Sequence, residues 1–272
     1  MHILELSDGN GLFYIYTPPR DEHGKTYVFF NALTGDTGMW EGVIGETLRA
    51  AGHGTLSFNF RGQKDSPFSR ELDLDESLIV EDARRLLQHL QPSNVILVGL
   101  SIGGLFAAKT WLGGIKGVAV CGLVLINTLR CDGPRLQWIN DALVRCARVG
   151  GLGLFRDLFA PLLFNEAWLA ENRRNFLQDT PYAPLPSDSG HANLLRNAGA
   201  VNWNVPYEEL VLPVLVVTGL QDRVFLDLDD VVSLYARLPN ARRIDMPDAA
   251  HLLPAEQPAA LATVLVDFGK AL

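Results

Sequence analysis

A serine between glycines, Gly99-Leu100-Ser101-Ile102-Gly103, follows the apolar run Val95-Ile96-Leu97-Val98 and precedes a helix-compatible segment at 105–111. A serine on such a strand-to-helix turn has its hydroxyl thrust into a cleft, the sequence form of a nucleophile elbow. The turn imposes unfavourable dihedrals on a non-glycine residue. The glycines on either side let strand and helix close around it. A serine hydroxyl is a weak nucleophile at neutral pH, so it needs a base to take its proton and an acid to orient that base. After an elbow serine the chain order is acid, then histidine. Two histidines follow Ser101. His191 lies in a helix-rich region and reads as a surface residue of that region. His251 lies in the loop Met246-Pro247-Asp248-Ala249-Ala250-His251, just past the last predicted strand, and is the expected base. Asp222 ends the run Val214-Leu215-Val216-Val217-Thr218-Gly219-Leu220-Gln221-Asp222 and is the expected acid. Asp227, Asp229 and Asp230 read as the start of the next helix, and Asp248 as serving its own turn.

Acyl transfer also needs two preorganised N–H donors for the oxyanion. One is expected from the backbone of Ile102, at a helix N-terminus whose dipole favours negative charge. The other is expected from Leu33, in the Gly-containing loop after a short apolar strand at 27–30. Trp40, Trp138 and Trp168 are taken as pocket walls, with Trp203, Phe155, Phe159 and Phe164 as further aromatics. Arg130, Arg135, Arg173, Arg174 and Arg196 are candidates to engage a substrate carboxylate. No phosphate loop, HExxH or dinucleotide glycine fingerprint is present, so no metal and no organic cofactor is expected.

These residues need a scaffold that brings strand ends together. A hairpin is expected at 3–6 and 12–16, with its turn at Asp8-Gly9-Asn10-Gly11. Strands are expected at 27–30, 55–58, 95–98, 118–128, 212–218 and 242–246. Helices are expected at 39–51, 74–90 and 258–272. The strand segments are apolar on both faces and alternate with helices, which gives an α/β fold with a mostly parallel sheet flanked by helices. Between 130 and 210 the alternation stops. Helical segments at 134–149, 154–164, 166–177 and 191–198 follow one another without a strand. They read as a helical cap insertion in a core made of 1–129 and 211–272, placed over the carboxyl ends of the strands. The cap is expected to shape the pocket while the sheet loops carry the reacting groups.

The 272 residues carry a formal net charge of −8 and 48% hydrophobic residues. With no Lys/Arg run, that argues against nucleic acid and against an anionic membrane surface as partners, leaving a small-molecule substrate. Cys121, Cys131 and Cys146 form no CxxC pair and read as buried free thiols of a reducing compartment. The start, Met1-His2-Ile3-Leu4-Glu5, has no basic and apolar leader pattern, and no apolar run reaches membrane-span length, so a cytoplasmic monomer or homodimer is expected.

Along almost its whole length the chain resembles the α/β-hydrolase superfamily, in its capped serine esterase, lactonase and carbon–carbon hydrolase branch. Phe29-Phe30-Asn31-Ala32-Leu33 falls where that family has an apolar pair, then His-Gly and a large residue. Phe58-Asn59-Phe60-Arg61-Gly62-Gln63-Lys64-Asp65-Ser66 resembles its Asp-x-Arg-Gly-x-Gly-x-Ser loop, and Pro247-Asp248-Ala249-Ala250-His251 its Gly-His loop. Asn31-Ala32, Asn59, Lys64 and Ala250 depart from the pattern. The resemblance implies a serine hydrolase acting on an ester, lactone or thioester of a small, partly apolar acyl substrate. Carbon–carbon bond hydrolysis, acyl transfer, cofactor-free haloperoxidation and a non-catalytic binding protein are the alternatives.

Overall fold

The computed structural model describes residues 2–7 and 9–272, so Met1 and the Asp8 end of the expected hairpin turn lie outside the described residues. The strands are β1 (His2–Ser7), β2 (Asn10–Thr17), β3 (Thr26–Phe30), β4 (Gly54–Phe58), β5 (Val95–Leu100), β6 (Val120–Ile126), β7 (Val214–Gly219) and β8 (Ala241–Met246). They form one sheet in the order β1-β2-β4-β3-β5-β6-β7-β8. The first two pairings, β1 with β2 and β2 with β4, are antiparallel, and the rest of the sheet is parallel. The helices are α1 (Gly38–Glu41), α2 (Val43–Ala50), α3 (Glu76–Leu90), α4 (Ile102–Leu112), α5 (Pro134–Leu163), α6 (Glu166–Asn172), α7 (Gly190–Ala198), α8 (Leu228–Tyr235), α9 (Leu253–Glu256) and α10 (Pro258–Lys270).

The two-sided apolarity of the strands has its cause in two helix layers. On β5, Val95 and Leu97 face the core built with Leu86 of α3, Leu105 and Phe106 of α4 and Leu234 of α8. The intervening Ile96, Val98 and Leu100 face the opposite core, with Leu48 of α2 and Leu261 and Leu265 of α10. Each fully buried aliphatic side chain contributes roughly 1.5–3 kcal/mol relative to exposure, and every residue of β5 is buried. A one-residue slip of this strand would exchange both sets at once.

Local chemistry sets the helix ends. Asp75 caps α3, its carboxylate accepting from the Leu78 amide at 2.9 Å. Gln91 ends it in the left-handed region, with φ 48°, just before Pro92. The expected helix at 39–51 is two short helices, because the backbone at Gly42 turns out of helical geometry with ψ −129°. The expected helices at 134–149 and 154–164 run on as one kinked α5, the kink falling at Gly151, with φ 69° and ψ −169°. That positive φ suits glycine. The third, expected at 166–177, stops at Asn172 and continues only as a 3-10 turn over Arg173–Asn175. Of the three cysteines, all free, Cys146 is buried and Cys121 half-buried, whereas Cys131 is exposed. Cys131 stands outside the sheet, on the connection into α5.

Candidate active site

Ser101, between β5 and α4, is held at φ 58° and ψ −124°. A non-glycine residue held there costs of order 1–3 kcal/mol. The surroundings leave it no freedom. The Ser101 amide donates to Ile126 O at 2.7 Å and its carbonyl accepts from the Gly104 amide at 3.0 Å. A Cβ at Gly99 would stand 2.3 Å from Gly104 Cα, and one at Gly103 would stand 2.4 Å from Phe30 O. Strand, turn and helix therefore approach within a distance that only glycine permits.

Asp222 and His251 meet behind this turn. His251 Nδ1 and Asp222 Oδ2 are 2.6 Å apart, and both side chains are almost fully buried. The other carboxylate oxygen of Asp222 accepts from the amides of Val224 at 2.9 Å and Phe225 at 3.0 Å. Burial pushes the Asp222 carboxyl up, but the His251 charge, its hydrogen bond and the two amides outweigh this, so the group is held below the usual carboxylate range. Asp227 caps α8 and Asp248 is exposed, so neither competes for the ring. Asn127, at the end of β6 with φ 47°, fixes the histidine loop. Its amide group donates to the carbonyls of Ala250 and His251 at 2.8 and 2.9 Å, and its side-chain oxygen accepts from the Gly219 amide at 2.7 Å.

Ser101 and His251 line one cavity of about 120 Å³, together with Leu33, Ile102, Arg130, Phe159, Trp203 and Phe225 among others. Ile102 opens α4, and among the described residues neither its amide nor that of Leu33 is used in a backbone hydrogen bond. The loop carrying Leu33 is held by Gln63, whose Nε2 donates to the carbonyls of Ala32 and Leu33, each at 3.0 Å. Gln63 Oε1 in turn accepts from Asn31 Nδ2 and the Phe60 amide. Asn31 also donates to Asn59 and accepts from the indole of Trp40 at 2.8 Å. Asn31 and Asn59, two of the departures in these loops, thus form one neutral, satisfied, buried network that sets the loop's backbone direction.

The tryptophans expected as pocket walls lie elsewhere. Trp40 is fully buried beneath the loop, stacked on Phe29 at 4.6 Å. Trp138 is 79% exposed on the outer face of α5. Trp168 stacks on Phe164 at 3.8 Å, outside the cavity. Helix phase on α5 turns Phe155 and Phe159 inward, and Trp203, in the irregular stretch after α7, joins them in the lining. Of the arginines, Arg135, Arg173, Arg174 and Arg196 are exposed. Arg130 is buried, and its Nη2 donates to Ser101 Oγ at 2.8 Å and to Asn127 O at 2.9 Å. Trp203 and Phe225 clamp its guanidinium at 4.5 and 4.3 Å. Burial pushes its pKa down to about 10, with Asp222 and Tyr207 pulling the other way, so it remains a cation at neutral pH.

The helical stretch between β6 and β7 also touches the backbone of the loops that carry Asp222 and His251. The last carbonyls of α5 have no intrahelical donor. Leu162 O accepts from the Arg223 amide and Leu163 O from the His251 amide, both at 3.0 Å. Glu256 adds a second tie, one carboxylate oxygen accepting from Asn165 N, Asn165 Nδ2 and the Ala250 amide. Beside lining the cavity, this stretch therefore holds the backbone of both loops. Asn127, Gln63 and the α5 carbonyls were not singled out from sequence, because a lone polar residue at a strand end carries no local signature. Among the described residues no cluster of His, Cys, Asp and Glu is placed to hold a metal, and no helix is long and apolar enough to cross a membrane.

A sequence model of the alpha/beta hydrolase family matches residues 27–264. Solved structures with the same fold include an alpha/beta hydrolase enzyme from a Medee basin deep-sea metagenome library, 19% identical, covering 98% of this chain and 96% of that one, with TM-score 0.81. An esterase from Exiguobacterium antarcticum is 16% identical over 98% of both chains, with TM-score 0.80. The enol-lactonase from Burkholderia xenovorans is 21% identical, covering 96% of this chain and 97% of that one, with TM-score 0.76.

Proposed function

Since this chain belongs to the alpha/beta hydrolase family, we propose that it is a serine hydrolase cleaving an ester, lactone or thioester of a small, partly apolar acyl substrate. The observation that carries this is the buried 2.6 Å contact between Asp222 and His251 beside the cavity that Ser101 lines. Ser101 Oγ attacks the carbonyl carbon while the imidazole of His251 takes its proton at Nε2. Asp222 orients the ring through Nδ1 and stabilises the imidazolium that forms. The carbonyl oxygen, now negative, is held by the amides of Ile102 and Leu33, with the start of α4 adding its dipole. Collapse of the tetrahedral adduct expels the alcohol or thiol, protonated by the imidazolium, and leaves an ester on Ser101. Water, deprotonated by His251, then releases the acid.

The segment 130–210 serves in this reading as a cap on a core of 1–129 and 211–272. Its Leu143, Phe155, Phe159 and Trp203 supply an apolar wall that excludes bulk water and fits an acyl chain. The esterase and lactonase among the structural neighbours indicate which bonds to assay first. A fluorophosphonate probe should label Ser101, and p-nitrophenyl butyrate should be turned over. Ser101→Ala should abolish the labelling and lower kcat by about 10⁴-fold or more. Labelling or turnover that survives the substitution refutes the assignment.

A further inference from the structure

The hydroxyl of Ser101 is engaged by a cation. Arg130 Nη2 donates to it at 2.8 Å, and among the described residues Ser101 Oγ makes no hydrogen bond to His251. No carboxylate pairs with this guanidinium among the described residues, and its Nη1 donates to no protein acceptor. The Asp222 charge acts on it without touching it, and a buried cation with no carboxylate in contact is costly and persists where something else uses it. The rest of the lining is mostly apolar, with Thr34, Asn140 and His251 as its other polar side chains beside Ser101, and its described lining contains no Asp or Glu. The ring planes of Trp203 and Phe225 on either side fix the guanidinium and leave only its edge for a ligand.

We propose that Arg130 is the specificity-determining residue of this site, and that the substrate is an ester or lactone bearing a carboxylate near its scissile carbonyl. This rests on the reading of Ser101 as nucleophile and names the substrate class for it. A carboxylate accepting from Nη2 and Nη1 replaces Ser101 Oγ as the acceptor of the Nη2 hydrogen. The hydroxyl is then free to turn to His251, so the anion both anchors the substrate and releases the nucleophile. With Nη2 in contact with Oγ, the carboxylate falls about two to four bonds from the attacked carbon, given ordinary near-attack and charge-assisted contact distances. A single planar, clamped guanidinium matches a monoanionic carboxylate in charge and in its two-pronged geometry.

The test compares monoethyl succinate with ethyl 4-methylpentanoate, a neutral ester of similar shape, by pH-stat, on the native protein and on Arg130→Met. The native protein should prefer the anionic ester by at least tenfold in kcat/KM. Arg130→Met should lower that preference by about ten- to a hundredfold, the range for a lost charge-assisted hydrogen bond, whereas a merely structural role would lower both esters together. Should Arg130→Met fail to fold, succinate must still inhibit hydrolysis of the neutral ester by the native protein competitively, and better than succinamide does. Turnover of the neutral ester with no anionic preference overturns the role of Arg130 and leaves the hydrolase reading standing. Absence of both turnover and fluorophosphonate labelling overturns the hydrolase reading and this proposal with it.

Discussion

Replacing Ser101 by glycine should give a more stable protein than replacing it by alanine. The backbone there, φ 58° and ψ −124°, is the mirror image of an ordinary extended conformation. Glycine occupies either hand equally, whereas alanine keeps the Cβ clash that serine suffers. Relieving that clash gains about 2 kcal/mol, the middle of the range for such outliers. Glycine gives back about 0.7 kcal/mol through the greater freedom of its unfolded chain. The lost methyl costs little, because the side chain borders the cavity instead of packed core. Both variants lose the acceptor for Arg130, so that term cancels between them. About 1 kcal/mol in favour of glycine remains, a rise in Tm of about 2–4 °C for a chain of this size. Urea unfolding followed by tryptophan fluorescence, with equal slopes for the two variants, measures it. If Ser101→Ala is as stable as Ser101→Gly, the turn is not strained and the elbow argument loses its energetic basis.

Asp222→Asn should keep the fold and lower kcat by about 10⁴-fold, by favouring the wrong tautomer of His251. The Asp222 carboxyl is held below its usual range, so its stabilisation is present above about pH 4 and is lost as pH falls through the folded-state value. Acid unfolding of Asp222→Asn should accordingly be flatter over that window, and an unchanged acid profile would show that the carboxylate is not paired as described. Gln63→Leu frees the carbonyls of Ala32 and Leu33 and should lower kcat on p-nitrophenyl butyrate by about ten- to a hundredfold, less than loss of a whole oxyanion donor. A change confined to KM would count against that account. Phe159→Ala should shift preference toward longer acyl chains across a p-nitrophenyl ester series, while Trp138→Ala, on the exposed face, should leave the series unaltered. The opposite ranking would mean that the acyl group lies outside this cavity.

The positions of Ser101, Asp222 and His251 in the fold were readable because each sits at or just past the end of a strand, where a short run of residue types marks both element and turn. The parallel sheet was readable for the same reason, since its strands are buried on both faces. What escaped was set by distance in sequence or by helix phase. Arg130 stood equal with four other arginines until the fold buried it against Trp203 and left the others in solvent. Trp138 and Phe159 share one kinked helix, and periodicity alone does not say which side of it meets the sheet. Asn31 and Asn59 looked like departures from a pattern, and only their mutual contact shows them as parts of one network. The break at Gly42 is a matter of one backbone angle, below the resolution of any periodicity.

The two carbonyls at the end of α5 bear on how such molecules diversify. Helical insertions of this kind invite grafting, in which a donor segment is exchanged to alter substrate range. Here a transplant that displaced the backbone at 162 and 163 would strand the amides of Arg223 and His251, each at a cost of about 1–3 kcal/mol if left unpaired. The loss would fall on the loops that carry Asp222 and His251, and under the proposed mechanism show itself as impaired chemistry instead of altered selectivity. Chimeras whose downstream junction lies before Pro161, keeping the native 161–165, should retain turnover. Those joined after Asn165 should lose it even when the new segment folds, so the natural seam for exchange lies within the helical stretch between β6 and β7 and not at its boundary with the sheet.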